Sequence, residues 1–275
     1  MMHIFLLNSL DGMITESYDV TARVRFILTV PVSVMIALSV AVGYVVSKYV
    51  AFGFKKLEDE KEQATGELKN VVLTTMAELI EERDEVTGGH IERTTLYLKA
   101  LIDGMKEHGV YTDELSQYDE TLLLQSCQLH DIGKVSIRDT ILLKPDKFTD
   151  DEYEIIKAHT TLGEKVIDRI KSVAIDNNFL DYAKIFAGTH HERWDGSGYP
   201  NGLKGDDIPL LGRMMAIADV YDALVSPRQY KKAFSADEAA HIMSDGKGTH
   251  FDTVLIDVFA DIRENFEQIS KTFSE

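Results

Sequence analysis

Histidines and carboxylates recur beside turn signals in the C-terminal two thirds of this 275-residue sequence. The settings are TGGH at 87–90, HDIGK at 130–134, His159, THHERWDGSGYP at 189–200 and AD at 218–219. Imidazole is the commonest metal ligand in proteins, and one aspartate can bridge two metals through its two oxygens. An adjacent His-Asp pair is weak evidence alone, but in HDIGK a turn glycine follows. Lys134 comes four residues after His130, one helical turn away, and can direct an ammonium group at a metal-bound phosphate. The pattern indicates metal chemistry on a phosphorylated ligand.

The stretch THHERWDGSGYP places two adjacent histidines before a glycine-rich turn. Neighbouring side chains on a helix point about 100° apart, so His190 and His191 can serve one metal cluster only near the end of an element. Gly196 and Gly198 provide such an end, since glycine permits positive φ and close approach of the backbone to a ligand. Tyr199 adds a ring face and a hydroxyl to a pocket wall. A helix C-terminus followed by an ordinary surface turn is the alternative.

The sequence carries 46 acidic and 29 basic residues, for a formal net charge of -17. Such a charge opposes binding to duplex nucleic acid, because the protein surface would have to neutralise phosphates. Small phosphorylated ligands remain compatible, since they need only a local pocket lined by cations or metals. The single cysteine, Cys127, excludes an intrachain disulfide and lies among apolar residues, so we expect it in the core and not as a nucleophile.

Residues 26–46 form a run of 21 residues without a charge, which is long enough to span a bilayer as a helix. Basic residues flank the run, and Tyr44 and Tyr49 lie where an interfacial belt would fall. A buried core helix and a signal peptide are the alternatives, but the length of the run and its start after residue 25 favour a membrane anchor. Residues 1–25 would then form a short N-terminal segment. The slight basic excess after the run is a weak indication of orientation.

Residues 47–71 have the pattern of a helical connector. Charged residues are interleaved with apolar ones, and Leu57, Ala64 and Val71 are seven residues apart. A seven-residue repeat is typical of a two-stranded coiled coil, which would make the protein a homodimer through anchor and connector. A solvated single helix is an equally good interpretation, because Gly66 weakens the repeat.

From residue 72 to 275 nearly every segment has apolar residues three and four apart, and strand signals are scarce. This periodicity predicts an all-α fold. Thr149 and Glu152 form a capping-box pattern, which predicts the start of the helix that carries His159.

The region from about residue 72 to 270 resembles an HD-GYP domain, a branch of the HD superfamily of metal-dependent phosphohydrolases. HDIGK and HHERWDGSGYP match the two signature motifs of that family, and RDEVTGGH, KPDKFTDDEYEIIKAHTTLGEKVI, ADVYDAL and GTHFD follow its order. The resemblance implies an HD-type helical bundle with a metal centre in its core, preceded here by one transmembrane helix and a helical connector. It also implies two or three metal ions, usually iron or manganese, and hydrolysis of cyclic di-GMP to linear pGpG or GMP.

The resemblance implies roles for the residues that match the family by position. The metal ligands would be His90, His130, Asp131, His159, His190, His191 and Asp219. Asp131 would bridge two metals and so take part in catalysis, and Lys134 would contact the scissile phosphate. The other residues that would hold the dinucleotide are Asp84, Tyr199, Asp222, Arg228 and Lys231. Arg228 and Lys231 are alternatively solvated surface charges, and Asp222 a carboxylate on a helix surface.

Two positions depart from the family pattern. Family members with three metals use a glutamate four residues before the first histidine, and that position here is Val86, which cannot be a ligand. We therefore predict two divalent metal ions, iron or manganese. Gln229 stands where a proline usually follows the arginine, and this change would loosen the loop that presents Arg228 and Lys231.

Two other functions fit part of the pattern. A receptor that binds cyclic di-GMP without hydrolysing it has little need for a bridging aspartate and a phosphate-directed lysine. A phosphohydrolase acting on another nucleotide would share the metal ligands, but the GYP loop argues against it. An intracellular substrate would place the domain on the cytoplasmic side of a bacterial inner membrane, in a single-pass protein with residues 1–25 outside.

Overall fold

The computed structural model describes residues 2–84, 89–172, 178–227 and 233–273. Within these ranges the protein is helical and has no β-strand, which confirms the predicted all-α class. The helices are α1 Met2–Asp84, α2 His90–His108, α3 Thr112–Leu115, α4 Glu120–Ser126, α5 Asp139–Leu142, α6 Asp150–Lys157, α7 His159–Lys171, α8 Asn178–Thr189, α9 Leu210–Val225, α10 Ala236–Asp245, α11 Thr253–Asp261 and α12 Arg263–Thr272. The chain divides into two compact units, Met1–Glu67 and Leu68–Glu275.

Helix α1 contains the uncharged run 26–46 and is long and apolar enough to cross a membrane. Pro31 lies inside the helix without ending it. Large apolar side chains along the run are exposed in the first unit, among them Ile36 at 60% and Val40 at 68%. A helix that is apolar all round needs apolar surroundings, so length, composition and exposure all make α1 a candidate membrane span.

The larger apolar core of the second unit lies where α2, α9, α11 and α12 meet. Tyr97 of α2 stacks on Phe266 of α12 with 4.8 Å between ring centroids, and it meets Tyr221 of α9 edge-on at 5.2 Å. Phe259 of α11 completes this group of buried rings. Aromatic packing of this kind stabilises beyond the burial of area. It fixes α2 and α9 against each other, and both helices carry predicted metal ligands.

A smaller apolar core joins the C-terminal part of α1 to α7 and α8. Ile80 of α1, Ile167 of α7 and Leu180 of α8 are buried there. Cys127 is also buried, at 1% exposure, in the larger core, as predicted from its apolar neighbours. Burial raises the pKa of the Cys127 thiol to about 12, so it stays protonated and unreactive near neutral pH.

The predicted capping box is present at the start of α6. Glu152 N donates to Thr149 Oγ1 at 3.3 Å, and Thr149 N donates to the Glu152 carboxylate at 2.8 Å. However, α6 ends at Lys157, and His159 begins the next helix, α7. Nδ1 of His159 lies 2.7 Å from the carbonyl oxygen of Ile156, in the last turn of α6. The helix start was predicted correctly, but His159 belongs to the following helix.

Candidate metal centre

The seven side chains predicted as metal ligands lie mostly at the ends of helices or in short turns. They are His90 at the start of α2, His130 and Asp131 between two 3₁₀ turns, His159 at the start of α7, His190 and His191 directly after α8, and Asp219 within α9. The ends of elements allow adjacent residues to point to one place. The rings of His190 and His191 accordingly lie 4.1 Å apart between centroids.

Six of these side chains form two groups, in each of which the ligand atoms lie within 4.8 Å of one another. One group is His90, His130 and Asp131, and the other is His159, His190 and His191. Asp131 connects the first group to the second, because its Oδ2 is 3.5 Å from Nε2 of His130 and its Oδ1 is 3.2 Å from Nε2 of His159. Asp219 joins the first group, with Oδ1 3.6 Å from Nε2 of His90. All seven therefore converge on one place.

Backbone carbonyls fix the tautomer of three of these histidines. The pairs are Nδ1 of His130 with Cys127 O at 2.9 Å, Nδ1 of His159 with Ile156 O at 2.7 Å, and Nδ1 of His190 with Phe186 O at 2.8 Å. A carbonyl oxygen only accepts hydrogen bonds, so Nδ1 carries the proton in each ring and Nε2 presents a lone pair. Nδ1 of His90 faces a carboxylate oxygen of Asp222 at 2.8 Å with the same consequence.

These lone pairs face one another. Nε2 of His90 lies 3.4 Å from Nε2 of His130, and Nε2 of His159 lies 3.3 Å from Nε2 of His190. With the protons on Nδ1, neither member of a pair can donate to the other. The buried Oδ1 of Asp131 also accepts no hydrogen bond from the described residues. Nitrogen lone pairs and an anionic oxygen directed into one space require a cation, so the residues fit bound metal ions.

The charge states in the site suit metal binding. Burial lowers the pKa of His130 to about 4, and it also lowers the pKa of His159 and, well below its usual value, that of His191. These imidazoles are therefore neutral near pH 7. Burial opposes ionisation of Asp131, but the Lys134 ammonium holds the pKa of Asp131 well below its usual value. These three histidines thus offer neutral nitrogens close to the carboxylate anion of Asp131.

A cavity of about 430 Å³ opens over the two ligand groups. Its polar lining residues are His90, Asp131, Lys134, His159, His191, Tyr199 and Asp219. Nζ of Lys134 is 2.7 Å from Oδ2 of Asp131. Lys134 lies in a 3₁₀ turn, Ile132–Ser136, and not one α-helical turn after His130 as predicted. The ring of Tyr199 lies 4.8 Å from that of His191 between centroids. A positive charge and a hydroxyl thus stand beside the ligand groups.

The HDIGK turn is in direct backbone contact with α7. A Cβ atom on Gly133 would lie 1.8 Å from the carbonyl oxygen of His159 and 2.5 Å from N of Gly163. No side chain fits there, because both obstacles are backbone atoms. This contact fixes the separation between Asp131 on one element and His159 on the other.

Glu192 organises the loop after the two histidines, a role that sequence reasoning missed. Its side chain is buried, and its two carboxylate oxygens accept hydrogen bonds from Asn201 N at 2.8 Å and Leu203 N at 3.0 Å. Gly196 has the predicted positive φ, at 84°, whereas Gly198 approaches the protein's own backbone, since a Cβ there would lie 2.6 Å from Cα of Glu192. A buried glutamate holding two amides across this turn keeps Tyr199 beside the histidines.

Asp222 lies behind His90, away from the cavity wall where a substrate contact was predicted. It is 1% exposed, and besides facing His90 it accepts two hydrogen bonds from Arg93, at 2.6 Å to Nε and 2.9 Å to Nη2. Asp222 is three residues after Asp219 on α9, and the packing of α9 on α2 turns it toward the ring of His90. Partners of this kind orient a ligand ring and fix its tautomer. Arg93 was not predicted, although its spacing from His90 is a signal for a partner on the same helix face.

Glu81 of α1 caps α2, the helix that begins with the predicted ligand His90. Its Oε1 accepts a hydrogen bond from N of His90 at 2.6 Å, and its Oε2 accepts one from N of Ile91 at 3.2 Å. These amides have no partner within α2, and a carboxylate at a helix N-terminus is favourable. The end of α1 therefore holds the backbone of His90.

Some predicted site residues lie outside the part of the chain that the structure describes. The structure does not describe the side chain of Asp84, nor residues 228–232, which include Arg228, Gln229 and Lys231. Val86 also lies outside the described residues. The roles expected of these residues remain predictions.

Comparison with known proteins identifies the family. The HD domain family profile matches residues 74–255, which contain every predicted ligand. The chain belongs to the HD domain family. Metal dependence is a property of that family, and the histidine–aspartate groups described above agree with it.

Relatives of this HD domain extend the comparison. It is similar to a cyclic di-GMP phosphodiesterase of Vibrio cholerae, with 42% identity over 229 residues that cover 82% of this chain and 46% of that protein. It is also similar to the 3'3'-cGAMP-specific phosphodiesterase 2 of the same organism, with 36% identity over 200 residues that cover 73% of this chain and 36% of that protein. The chain spans about half, or less, of the length of these relatives.

A solved structure supports the fold alone. The crystal structure of a cyclic GMP-AMP-specific phosphodiesterase of Vibrio cholerae aligns with a TM-score of 0.50 and 20% identity, over 74% of this chain and 51% of that chain. The HD-type helical architecture that was predicted is therefore confirmed.

Proposed function

We propose that this HD domain is an HD-GYP phosphodiesterase that hydrolyses cyclic di-GMP to pGpG, GMP or both. The observation that carries the proposal is the pair of candidate ligand groups that Asp131 connects, with histidine lone pairs directed inward. The identity of 42% and 43% to two Vibrio cholerae proteins, named cyclic di-GMP phosphodiesterase and probable cyclic di-GMP phosphodiesterase, supports the substrate.

The site would hold two divalent metal ions, iron or manganese, with Asp131 as the shared ligand. Two such ions lower the pKa of a bound water and neutralise charge on a phosphodiester. The two oxygens of Asp131 face different ligand groups, which supports a bridging role. Imidazole and carboxylate ligands accept several divalent metals, so the choice between iron and manganese depends on supply as well as on the ligands.

The remaining residues of the site would bind and orient the substrate. Lys134 would place its ammonium where negative charge develops on the phosphate, the kind of contribution that preorganised charges make in a water-excluded site. Burial raises the pKa of Tyr199, so its hydroxyl stays protonated and can donate a hydrogen bond to the dinucleotide. Asp222 and Arg93 would act through His90, since they hold its ring.

Two competing functions have observable signatures. The relative named as a 3'3'-cGAMP-specific phosphodiesterase supports an alternative substrate for this protein, a cyclic dinucleotide that contains one adenine. A receptor without catalysis would bind cyclic di-GMP and leave it intact. The complete ligand set and Lys134 beside it favour hydrolysis, because binding alone needs no such grouping of ligands.

The test uses the full chain, purified anaerobically in detergent and supplied with manganese or ferrous iron. Cyclic di-GMP, 3'3'-cGAMP and a mononucleotide are offered separately and in competition, and the products are separated by chromatography. We expect metal-dependent loss of cyclic di-GMP that the Asp131→Ala variant does not show. Preferential cleavage of 3'3'-cGAMP would show that cyclic di-GMP is not the preferred substrate. Tight binding of cyclic di-GMP without turnover would show that the protein is a receptor.

We further propose that residues 26–46 anchor the protein once in a bacterial inner membrane, with the HD domain in the cytoplasm. The apolar length of α1 and its exposed side chains support this arrangement, and an intracellular messenger as substrate requires it. Residues 47–71 would pair with those of a second copy in a homodimer. In inverted vesicles, protease should digest the HD domain, and a shielded domain would contradict the orientation. Crosslinking through single cysteines placed along 47–71 would test the dimer.

A further inference from the structure

One aromatic ring lines the cavity from outside the ligand set. Phe148 lies in the loop between α5 and α6, and 38% of its surface is exposed although it belongs to the cavity wall. A ring that faces a cavity and remains open to solvent has a surface available to a ligand. Tyr199, the other phenyl-type ring among the described lining residues, already contacts the ring of His191 and lies 5.6 Å from Nζ of Lys157.

The loop that carries Phe148 is held at both of its ends by one carboxylate. Glu152 accepts a hydrogen bond from Nζ of Lys144 at 2.5 Å and from N of Thr149 at 2.8 Å. Lys144 begins the turn after α5, and Thr149 directly follows Phe148 and caps α6. The ring is thus presented by a fixed loop, and a preorganised aromatic surface loses little entropy when a ligand stacks on it.

Apolar side chains also line the cavity. They are Leu142 of α5 and Ile156 of α6, the helices on either side of the Phe148 loop in sequence, and Val220, Ala223 and Leu224 of α9. The metal-ligand groups lie at the polar part of the same cavity. A cavity lined by apolar side chains, an open aromatic ring and candidate metal ligands suits a nucleotide, which has a flat base attached to a charged phosphodiester.

We propose that Phe148 stacks on one nucleobase of the substrate. It would thereby make the site favour phosphodiesters that carry a nucleobase over small phosphodiesters that carry none. The proposal rests on the proposed function and adds to it the residue that binds the base. Stacking is tolerant of base identity, because every base has a π face. Phe148 therefore contributes affinity for a purine dinucleotide without selecting guanine over adenine.

The experiment compares Phe148→Ala, Phe148→Trp and Leu143→Ala in the full, metal-loaded chain in detergent. Leu143 is the matched control, since it lies in the same loop, is 52% exposed and is absent from the cavity lining. Steady-state turnover is measured with cyclic di-GMP and with methyl 4-nitrophenyl phosphate, a phosphodiester without a base. Loss of one base–aromatic stack predicts a rise in KM for cyclic di-GMP of about 5- to 150-fold in Phe148→Ala. Phe148→Trp and Leu143→Ala should stay within about 2-fold of the wild type.

The two substrates separate the possible outcomes. The hydrolysis of methyl 4-nitrophenyl phosphate and kcat for cyclic di-GMP should remain unchanged in Phe148→Ala, because the metal centre is intact. An unchanged KM for cyclic di-GMP, or an equal loss on both substrates, would overturn the stacking role. If the wild type hydrolyses no cyclic di-GMP, the proposed function fails. The stacking role of Phe148 is then tested by calorimetry, in which Phe148→Ala should bind cyclic di-GMP more weakly than the wild type does. Absence of binding to the wild type would overturn both.

Discussion

Gly133→Ala tests whether the backbone contact between HDIGK and α7 sets the metal centre. The added Cβ would lie 1.8 Å from the carbonyl oxygen of His159, whereas van der Waals contact between two such atoms begins at about 3.5 Å. The two elements must therefore separate by roughly 1.5 Å, since neither obstacle is a flexible side chain. Asp131 is two residues before Gly133, so its carboxylate moves relative to His159. A displacement of about 1 Å in a catalytic site typically lowers turnover by about 100-fold.

The measurement combines metal content by elemental analysis, turnover of cyclic di-GMP and thermal unfolding. We expect Gly133→Ala to lose at least about 100-fold in turnover and to bind less metal, with a stability loss of about 1–3 kcal/mol from overpacking. Gly163→Ala is a graded comparison, because its Cβ would meet the Cβ of Ala187 at 3.1 Å and the backbone of Gly133 at 3.4 Å. Gly66→Ala is the control, with no atom within 4 Å.

The order of effects is the decisive result. Turnover should fall from Gly66→Ala through Gly163→Ala to Gly133→Ala. Wild-type turnover and metal content in Gly133→Ala would refute the argument, because they would show that the HDIGK turn and α7 can separate without disturbing the ligands.

Three further predictions concern the ligand set. Asp222→Asn should weaken metal affinity 10- to 100-fold, measured by competition with a chelator, because His90 loses the charge that fixes its tautomer; unchanged affinity would contradict this role. Removal of metal by a chelator should lower Tm by about 5–10 °C relative to protein with metal at 100 times Kd, since the metal binds only the folded state. The pKa of His130 is about 4 in the folded protein, below its unfolded value of about 6.5. The unfolded chain therefore takes up the proton first, so the metal-free protein should lose stability as pH falls from about 6.5 to 4, with no contribution from His130 above that window. Denaturant titrations at several pH values, with His130→Gln for comparison, would measure it.

Local patterns in the sequence were sufficient to predict the fold class and to select the candidate ligand residues. Helical periodicity predicted an all-α protein, and the capping box at Thr149 located the start of α6. Candidate ligands could be named because their motifs resemble those of a family. The helix break before His159 was not predicted, because it lies in a continuous amphipathic pattern.

Other features depend on contacts between distant segments. The HDIGK turn is a 3₁₀ turn whose backbone contacts α7 at Gly133, and the local sequence does not predict that contact. The direction of Asp222 follows from the packing of α9 on α2, so a carboxylate expected at the substrate lies behind His90. Glu192 binds amides nine and eleven residues later in the chain, after a turn whose path the sequence does not specify.

The hydrogen bonds from His90 and Ile91 to Glu81 have a consequence for amide exchange. The first amides of a helix have no intrahelical acceptor and normally exchange with solvent readily. At the start of α2, protection of these two amides depends on a carboxylate that belongs to α1. Their deuterium uptake therefore reports the opening of the last turns of α1 next to His90, a predicted metal ligand, and the measurement needs neither substrate nor turnover. Glu81→Gln should raise uptake at both positions while leaving the interior of α2 unchanged.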